Sequence, residues 1–275
     1  MKLFDGHCDT AFELWQRGEP LSRNSCHIDL QKTQKFENYA QIFAFCSYAG
    51  CEGVFEKPED TLTLPMTVLR RELEKNSDSI LPAKDAGGIR DAWAAGKAAA
   101  LFSIEGPECI GCDPARLADL RAQGFVTTTL TWNADNALAG WHQSGRGLTA
   151  QGRDYVRADV SHLSESAFWA LCEFADAPIL ASHSNCRALC DHSRNLTDDQ
   201  LRAVAQLGGT VGLNLYVPFL GKAADRFTML SHLEHLLTVC GEDHVALGGD
   251  LDGCDELPEG FSDIGDYLTF YDFLR

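Results

Sequence analysis

Eight short apolar runs alternate with amphipathic segments along this chain, and no other feature limits so strongly what it can fold into. The runs are KLFDGH, NYAQIFAFCS, AAALFSIEG, FVTTTLTWN, a segment around YVRADVSH, APILASHS, GTVGLNLY and HVALGGDLDG. Between several of them, apolar residues recur at helical spacing, in DPARLADLRAQG, LSESAFWALCEFAD, LTDDQLRAVAQLGG and RFTMLSHLEHLLTVCG. Some of these segments open at a Ser, Thr or Asp cap and close near Gly. Alternation of this kind predicts parallel strands covered by helices, and eight units predict a closed (β/α)8 TIM barrel of the α/β class. The length of 275 residues suits one such domain, since a barrel of this type takes about 250. No Pro-rich linker, low-complexity tract or repeat divides the chain, so residues 1–275 read as a single domain. The stretch 48–85 is long enough to hold more than one element.

In such a barrel, functional side chains gather at the C-terminal strand ends. The first run ends in FDGHCDT, where His7 and Asp9 stand two residues apart and so point the same way from an extended segment. On its own, the pair reads as well as a hydrogen-bonded histidine near a chain start. The same ending recurs, however. The third run closes on Glu105, the fifth on His162, the sixth on His183 and the eighth on Asp250, with Asp252 close behind. Singly, Glu105 reads as a helix-cap acid, His183 as a core histidine and Asp250 as a turn residue. At matching strand ends, they predict a metal site. Nitrogen and oxygen ligands without thiolate suit Zn²⁺, with Mn²⁺ or Fe²⁺ as alternatives of similar ligand preference. Five or six ligands exceed one tetrahedral ion. A carboxylate such as Glu105 can bridge two ions about 3.5–4 Å apart, an arrangement that hydrolyses amides and esters.

Charge narrows the partners. A net charge of −17 argues against nucleic acid and anionic membrane surfaces, both of which need basic patches. No apolar run is long enough to cross a bilayer, and the N-terminus lacks the apolar stretch of a secretory signal. Eleven cysteines, an odd number scattered along the chain, fit reduced thiols and a cytoplasmic location better than a disulfide framework. Cys109 and Cys112 have CxxC spacing, but no second pair completes four zinc ligands, and both read as thiols near a helix start. A small-molecule substrate follows as the default.

These motifs carry a family resemblance. HCDT, AQIFAF, SIEG, LTWNADN, GLTAQG, VSHLSE, ASHSNCRALCDHSRNLTDDQL and HVALGGDLDG together resemble the membrane (renal) dipeptidases of the amidohydrolase superfamily over nearly the whole length. The SHS…RNLTDD segment is the most specific. The resemblance implies a binuclear zinc enzyme, with two Zn²⁺ per chain, that hydrolyses small dipeptides through a metal-bridging hydroxide. It assigns one metal to His7 and Asp9, the other to His162 and His183, and the bridge to Glu105. It further implies that Arg194 grips the substrate's terminal carboxylate, that Asp250 handles the proton of the attacking water, and that the protein is a homodimer. Glu105 and Asp250 are thus the expected catalytic residues, and Arg194, Trp132, His142 and Tyr216 the expected substrate contacts. The chemistry agrees: a carboxylate in reach of the nucleophile can move its proton to the leaving amine, and an arginine fork matches a carboxylate bidentately. Asp252 reads as a residue that shapes the loop. Hydrolysis of a lactam or lactone, or a metal-binding barrel with weakened turnover, are the alternative readings.

Two departures from the family pattern stand out. Where the family has His at a TLTH-type strand end, this chain reads TLTW, with Trp132. The family histidine is thought to hold the oxygen of the tetrahedral intermediate, whereas Trp has one N–H donor and no protonatable nitrogen. His142, in the GWHQSG loop that follows, is the candidate to supply the missing donor. The second departure is a shortening: only RA separates GRDYV from DVSH, too little for an inner strand of about 5–6 residues. This predicts either chain missing between Val156 and Asp159 or a deformed fifth strand. The resemblance also implies a further helix beyond DYLTFYDFLR.

Overall fold

The computed structural model describes residues 1–47, 53–155 and 158–275. Strands β1 (Lys2–Cys8), β2 (Asn38–Cys46), β3 (Ile80–Pro82), β4 (Ala98–Glu105), β5 (Phe125–Thr129), β6 (Leu180–Ala181), β7 (Thr210–Leu213) and β8 (Val245–Leu247) all pair in parallel. β2 and β4 are buried along almost their whole length, as expected of parallel strands covered on both faces. That double burial explains why NYAQIFAFCS and AAALFSIEG are nearly continuous apolar runs.

The pairings close on themselves. β1 lies between β2 and β8, β4 joins β2 to β5, and β7 joins β8 to β6. The gap between β5 and β6 is spanned by Asp159, which bridges to Thr129 on one side and to Leu180 on the other. All eight runs read from the sequence therefore take part in one parallel ring. Among the described residues, the fifth takes part through the single bridging residue Asp159, flanked by the hydrogen bonds Asp159 N to Thr128 O, 2.9 Å, and Val160 N to Leu180 O, 2.7 Å. The Asp159 carboxylate stands in for the ladder that a longer strand would supply. Its Oδ1 accepts from Ser161 N at 3.0 Å and from Ser182 N at 3.1 Å. The proposed break between Val156 and Asp159 falls on residues 156–157, outside the described residues. One strand was not anticipated: β3, three residues ending in Pro82, pairs with the start of β4. It lies in the stretch 48–85 together with the helix Asp60–Lys75, so that stretch does hold more than one element.

The helices form where caps and spacing place them. Ser164 caps Glu165–Cys172, Thr197 forms a reciprocal capping box with Gln200 at the start of Asp198–Gln206, and Asp225 caps Arg226–Cys240. DPARLADLRAQG gives a 3-10 turn, Pro114–Arg116, followed by the helix Leu117–Ala122. No helix among the described residues is long and apolar enough to cross a membrane.

Inside the ring, strands approach so closely that side chains have no room. A Cβ built on Gly212 or Gly248 would stand 1.9 or 1.7 Å from the carbonyl oxygen of Ser182. Glycine at both positions lets β7 and the end of β8 close around the residue that precedes His183. Gly248→Ala must push these backbones apart, and overpacking of this kind costs typically about 1–3 kcal/mol. The expected outcome is a lower urea midpoint at unchanged m-value; an unchanged midpoint would show that the ring interior can open freely.

Candidate metal centre

β1 and β4 deliver His7 and Glu105 to the C-terminal rim, and the segments after the other strands deliver the rest. Asp9 follows β1 directly, just before the helix Thr10–Arg17. His162 lies just beyond the Asp159 bridge, His183 just beyond β6 and Asp250 beyond β8. His162 and Asp250 have φ of 70° and 58°, a left-handed conformation uncommon outside glycine and found where function holds a residue in place.

The side chains converge on one carboxylate oxygen. Glu105 Oε1 lies 2.9 Å from His162 Nε2, 3.3 Å from His183 Nε2 and 3.6 Å from His7 Nε2. His7 Nε2 is also 3.7 Å from Asp9 Oδ2 and 3.9 Å from Asp250 Oδ1. Three sets, His7–Asp9–Glu105, Glu105–His162–His183 and His7–His183–Asp250, each place their ligand atoms within 4.8 Å of one another. Glu105, His7 and His183 each belong to two of these sets.

The donor set fits divalent cations. His7 Nε2 is buried and makes no hydrogen bond, and the Nε2 atoms of His162 and His183 face each other at 3.1 Å beside the same carboxylate. Imidazole nitrogens and carboxylate oxygens without thiolate are the ligands of zinc and its neighbours. Burial pushes His162 down to about 4, with Arg194 adding to it, and His183 down to about 3, with His7 adding to it. Both rings are therefore neutral at pH 7, as metal ligation requires. Burial opposes charge on His7 too, but Glu105 and Asp9 outweigh it and hold its pKa well above the ordinary value. Glu105 resists burial through His7 and His162, which keep its carboxyl well below the usual range. Burial raises Asp9 to about 7. Cys109 and Cys112 take no part in these sets: burial raises their thiols to about 12 and about 11.

Two of the three ligand histidines have a partner on the far nitrogen. His183 Nδ1 is 2.7 Å from Ser182 Oγ, and His162 Nδ1 is 3.2 Å from Asn133 Oδ1, contacts that fix ring orientation. Asn214 Nδ2 donates to Asp250 Oδ2 at 3.0 Å and to the His183 carbonyl at 3.3 Å. Sequence reasoning passed over Ser182, Asn133 and Asn214; their one signal is a polar side chain at the end of an apolar run. Asp252 ties down the loop, accepting from Thr10 Oγ1 at 2.6 Å and from the backbone of His27. At Gly253, a Cβ would stand 2.3 Å from Asp9 Oδ2 and 2.6 Å from Asp250 Oδ1, so only glycine lets this loop pass over the two carboxylates.

A cavity of about 610 Å³ opens above the cluster. Phe12 and Trp132 line one side, and Tyr216, Phe219 and His192 another. Trp132 packs with Phe12 and Trp15 around Cys46 and Phe55, its ring centroid 6.5 Å from that of His162. Arg194 lines the cavity at 3% exposure and pairs with no carboxylate among the described residues. Its Nη2 donates to the His183 carbonyl at 3.3 Å, its Nε is buried without a partner, and its Cζ lies 5.2 Å from the Phe219 ring. Burial lowers its pKa to about 10, which leaves it charged. His142 also lines the cavity, and burial, with Arg194 and His192 adding to it, pushes it down to about 3. All the side chains expected at the site thus share one cavity or its floor.

Comparison with known proteins gives a consistent picture. The pattern of the membrane dipeptidase family (peptidase family M19) matches residues 1–275. An uncharacterized protein in the pqqA 5′ region of Klebsiella pneumoniae is 32% identical over 240 residues, covering 79% of this chain and 88% of that protein. Among solved structures, a metallo peptidase from Rhodobacter sphaeroides, liganded with a phosphinate mimic of the dipeptide L-Ala-D-Ala, superposes with a TM-score of 0.88 at 26% identity, covering 100% of this chain and 92% of that one. A second, dipeptidase AC, also a metallo peptidase, gives 0.89 at 26% identity, covering 100% and 91%.

Glu105 supplies the oxygen that two ligand sets share, so its removal should weaken both. Glu105→Ala is expected to lower metal affinity by at least the ~10- to 100-fold typical of losing a supporting residue, read as metal content per folded chain after dialysis. Unchanged content would refute the shared-ligand arrangement.

Proposed function

This chain belongs to the membrane dipeptidase family, and on that premise we propose that it is a zinc-dependent dipeptidase, with two ions held by His7–Asp9–Glu105 and Glu105–His162–His183. Cations bound there supply a water acidified to near-neutral pH and a polarised scissile carbonyl. The rest of the reaction falls to the chain's own groups. Asn214 occupies Asp250 Oδ2, and the other oxygen of Asp250 faces the metal ligands, 3.9 Å from His7 Nε2. Asp250 is positioned to take a proton from the attacking water and return it to the leaving amine. Phe12 and Trp132 on one side, with Tyr216 and Phe219 on the other, supply apolar walls that exclude bulk water.

The observation that carries the dipeptide reading is Arg194. A guanidinium buried without a carboxylate is costly, and one that opens on a cavity is offset when an anion enters. Set beside the ligand cluster, it suits a substrate whose free carboxylate lies one residue from the scissile bond. A cytoplasmic location, expected from the cysteine content, belongs to the same proposal.

Metal analysis of the purified protein and a panel of dipeptides test the reading together: two zinc ions per chain and turnover of free dipeptides are expected. Arg194→Ala should raise KM for a dipeptide by about 10- to 100-fold, the range of a hydrogen bond to a charged group, and change little for the same dipeptide amidated at its C-terminus. Equal losses on both substrates would count against a carboxylate-binding arginine.

A further inference from the structure

Two loops that belong to different strands meet beside Arg194. The loop after β5 is held rigidly: Asp135 accepts from Trp141 N at 3.0 Å and from Ser144 Oγ at 2.9 Å, Trp141 bridges antiparallel to Leu163, and Ser164 N donates to the Gly140 carbonyl at 2.9 Å. The loop after β6 carries Arg194 and is laced by Arg187, whose Nε and Nη2 donate to the carbonyls of Asn195 and Ser193, each at 3.0 Å. A side-chain hydrogen bond joins the two, His142 Nδ1 with Ser193 Oγ, at 2.8 Å. Ser193 immediately precedes the arginine in the chain.

Two observations place His142: its ring centroid is 6.2 Å from that of His162 in the ligand cluster, and its Nδ1 is tied to the loop that carries Arg194. Its Nδ1 is taken by Ser193, its ring centroid is 6.0 Å from that of His192, and Nε2 has no hydrogen-bond partner among the described residues. When the serine hydroxyl donates to Nδ1, the neutral ring carries its proton on Nε2 and becomes a donor. His192 is set in the same way: its Nδ1 accepts from the backbone N–H of Arg194 at 3.1 Å, which leaves its own Nε2 as the donor. His142, His192 and Arg194 all line the cavity. The geometry points to His142 as a specificity-determining residue that binds the substrate's terminal carboxylate beside Arg194, rather than as a donor to the reacting carbonyl oxygen in place of a histidine at position 132. This inference deepens the dipeptidase reading and rests on it for the identity of the anion.

Two measurements on the metal-loaded protein test it. In the first, calorimetry follows binding of N-acetylalanine, which has the terminal carboxylate and no free amine, and of its amide. Wild type is expected to bind the acid and not the amide. His142→Ala should weaken acid binding about 10- to 100-fold, the range of a hydrogen bond to a charged group. His142→Gln, which keeps a donor, should recover part of the loss, and Ser193→Ala should give an intermediate loss. In the second, steady-state kinetics on a dipeptide should show His142→Ala raising KM with kcat within about 2-fold of wild type, the signature of uniform binding. The inference is overturned if His142→Ala binds the acid as wild type does, if wild type binds acid and amide alike, or if His142→Ala lowers kcat at unchanged KM. Histidine-dependent acid binding without dipeptide turnover would sink the dipeptidase reading and leave the carboxylate cradle standing. Turnover with an unaltered KM in His142→Ala would do the reverse.

Discussion

A carboxylate buried at 3% exposure among three imidazoles is the constraint on which this structure turns. Burying an ionised Glu105 without compensation costs on the order of several kcal/mol, a large share of a fold's net stability, so the charged form needs positive or metal-binding groups around it. His7, His162 and His183 come from separate positions on the ring, and strands that end at one rim place them within 3.6 Å of the same oxygen. The strand that carries Glu105 is accordingly the most firmly held. It pairs with β2 along seven positions, from Ala40↔Ala99 to Cys46↔Glu105, and with β5 up to Glu105↔Thr129. The next residue, Gly106, donates its N–H to Thr129 Oγ1 at 2.8 Å, so the chain turns away from the rim without releasing the carboxylate.

The same logic explains a second buried charge. Arg194 lies in the field of Asp250, Glu105 and Asp159, which raise its pKa against the larger lowering effect of burial. It stands apart from those carboxylates and hydrogen-bonds the carbonyl of His183 instead. The cavity is thus lined both by the carboxylates and imidazoles of the cluster and by a guanidinium. A dipeptide carries its own carboxylate at one end, and its peptide carbonyl one residue away, so that this lining suits the proposed chemistry. Asp159 contributes twice, as the residue that closes the ring and as part of the field on the arginine.

How much of this was legible in the sequence depends on how each residue does its work. His7, Asp9, Glu105, His162, His183 and Asp250 stood out because strand alternation placed each at the end of an apolar run, and the fold brings those ends together. β3 was invisible because three residues ending in proline carry neither length nor period. The fifth strand was identified and its shortness noticed, but the support it draws from one carboxylate accepting from Ser161 and Ser182 leaves no periodic trace. Asn133, Ser182 and Asn214 were missed for a related reason, since a polar residue after a strand is as common in an ordinary turn as behind a metal ligand. The seat of His142 beside Ser193 depends on a contact between loops 51 residues apart, which local pattern cannot reach.

Trp132 then takes on a physical meaning of its own. Behind it, Trp15 stacks on Phe55 with ring centroids 4.6 Å apart, and Phe12 packs against both, so that the rim at this position is backed by an apolar shoulder joined to the first helix. An indole cannot exchange a proton with a reacting group, and a histidine seated in this aromatic cluster would itself be held neutral by burial. On the proposed reading, a site with tryptophan here leaves proton transfer to a carboxylate and charge stabilisation to the cations that the ligand cluster would hold, with the indole as an apolar wall of the cavity. In the proposed division of labour, Asp250 would move the proton, cations held by the Glu105 cluster would stabilise the charge that develops, and the histidine of the neighbouring loop would be left to read the substrate's carboxylate.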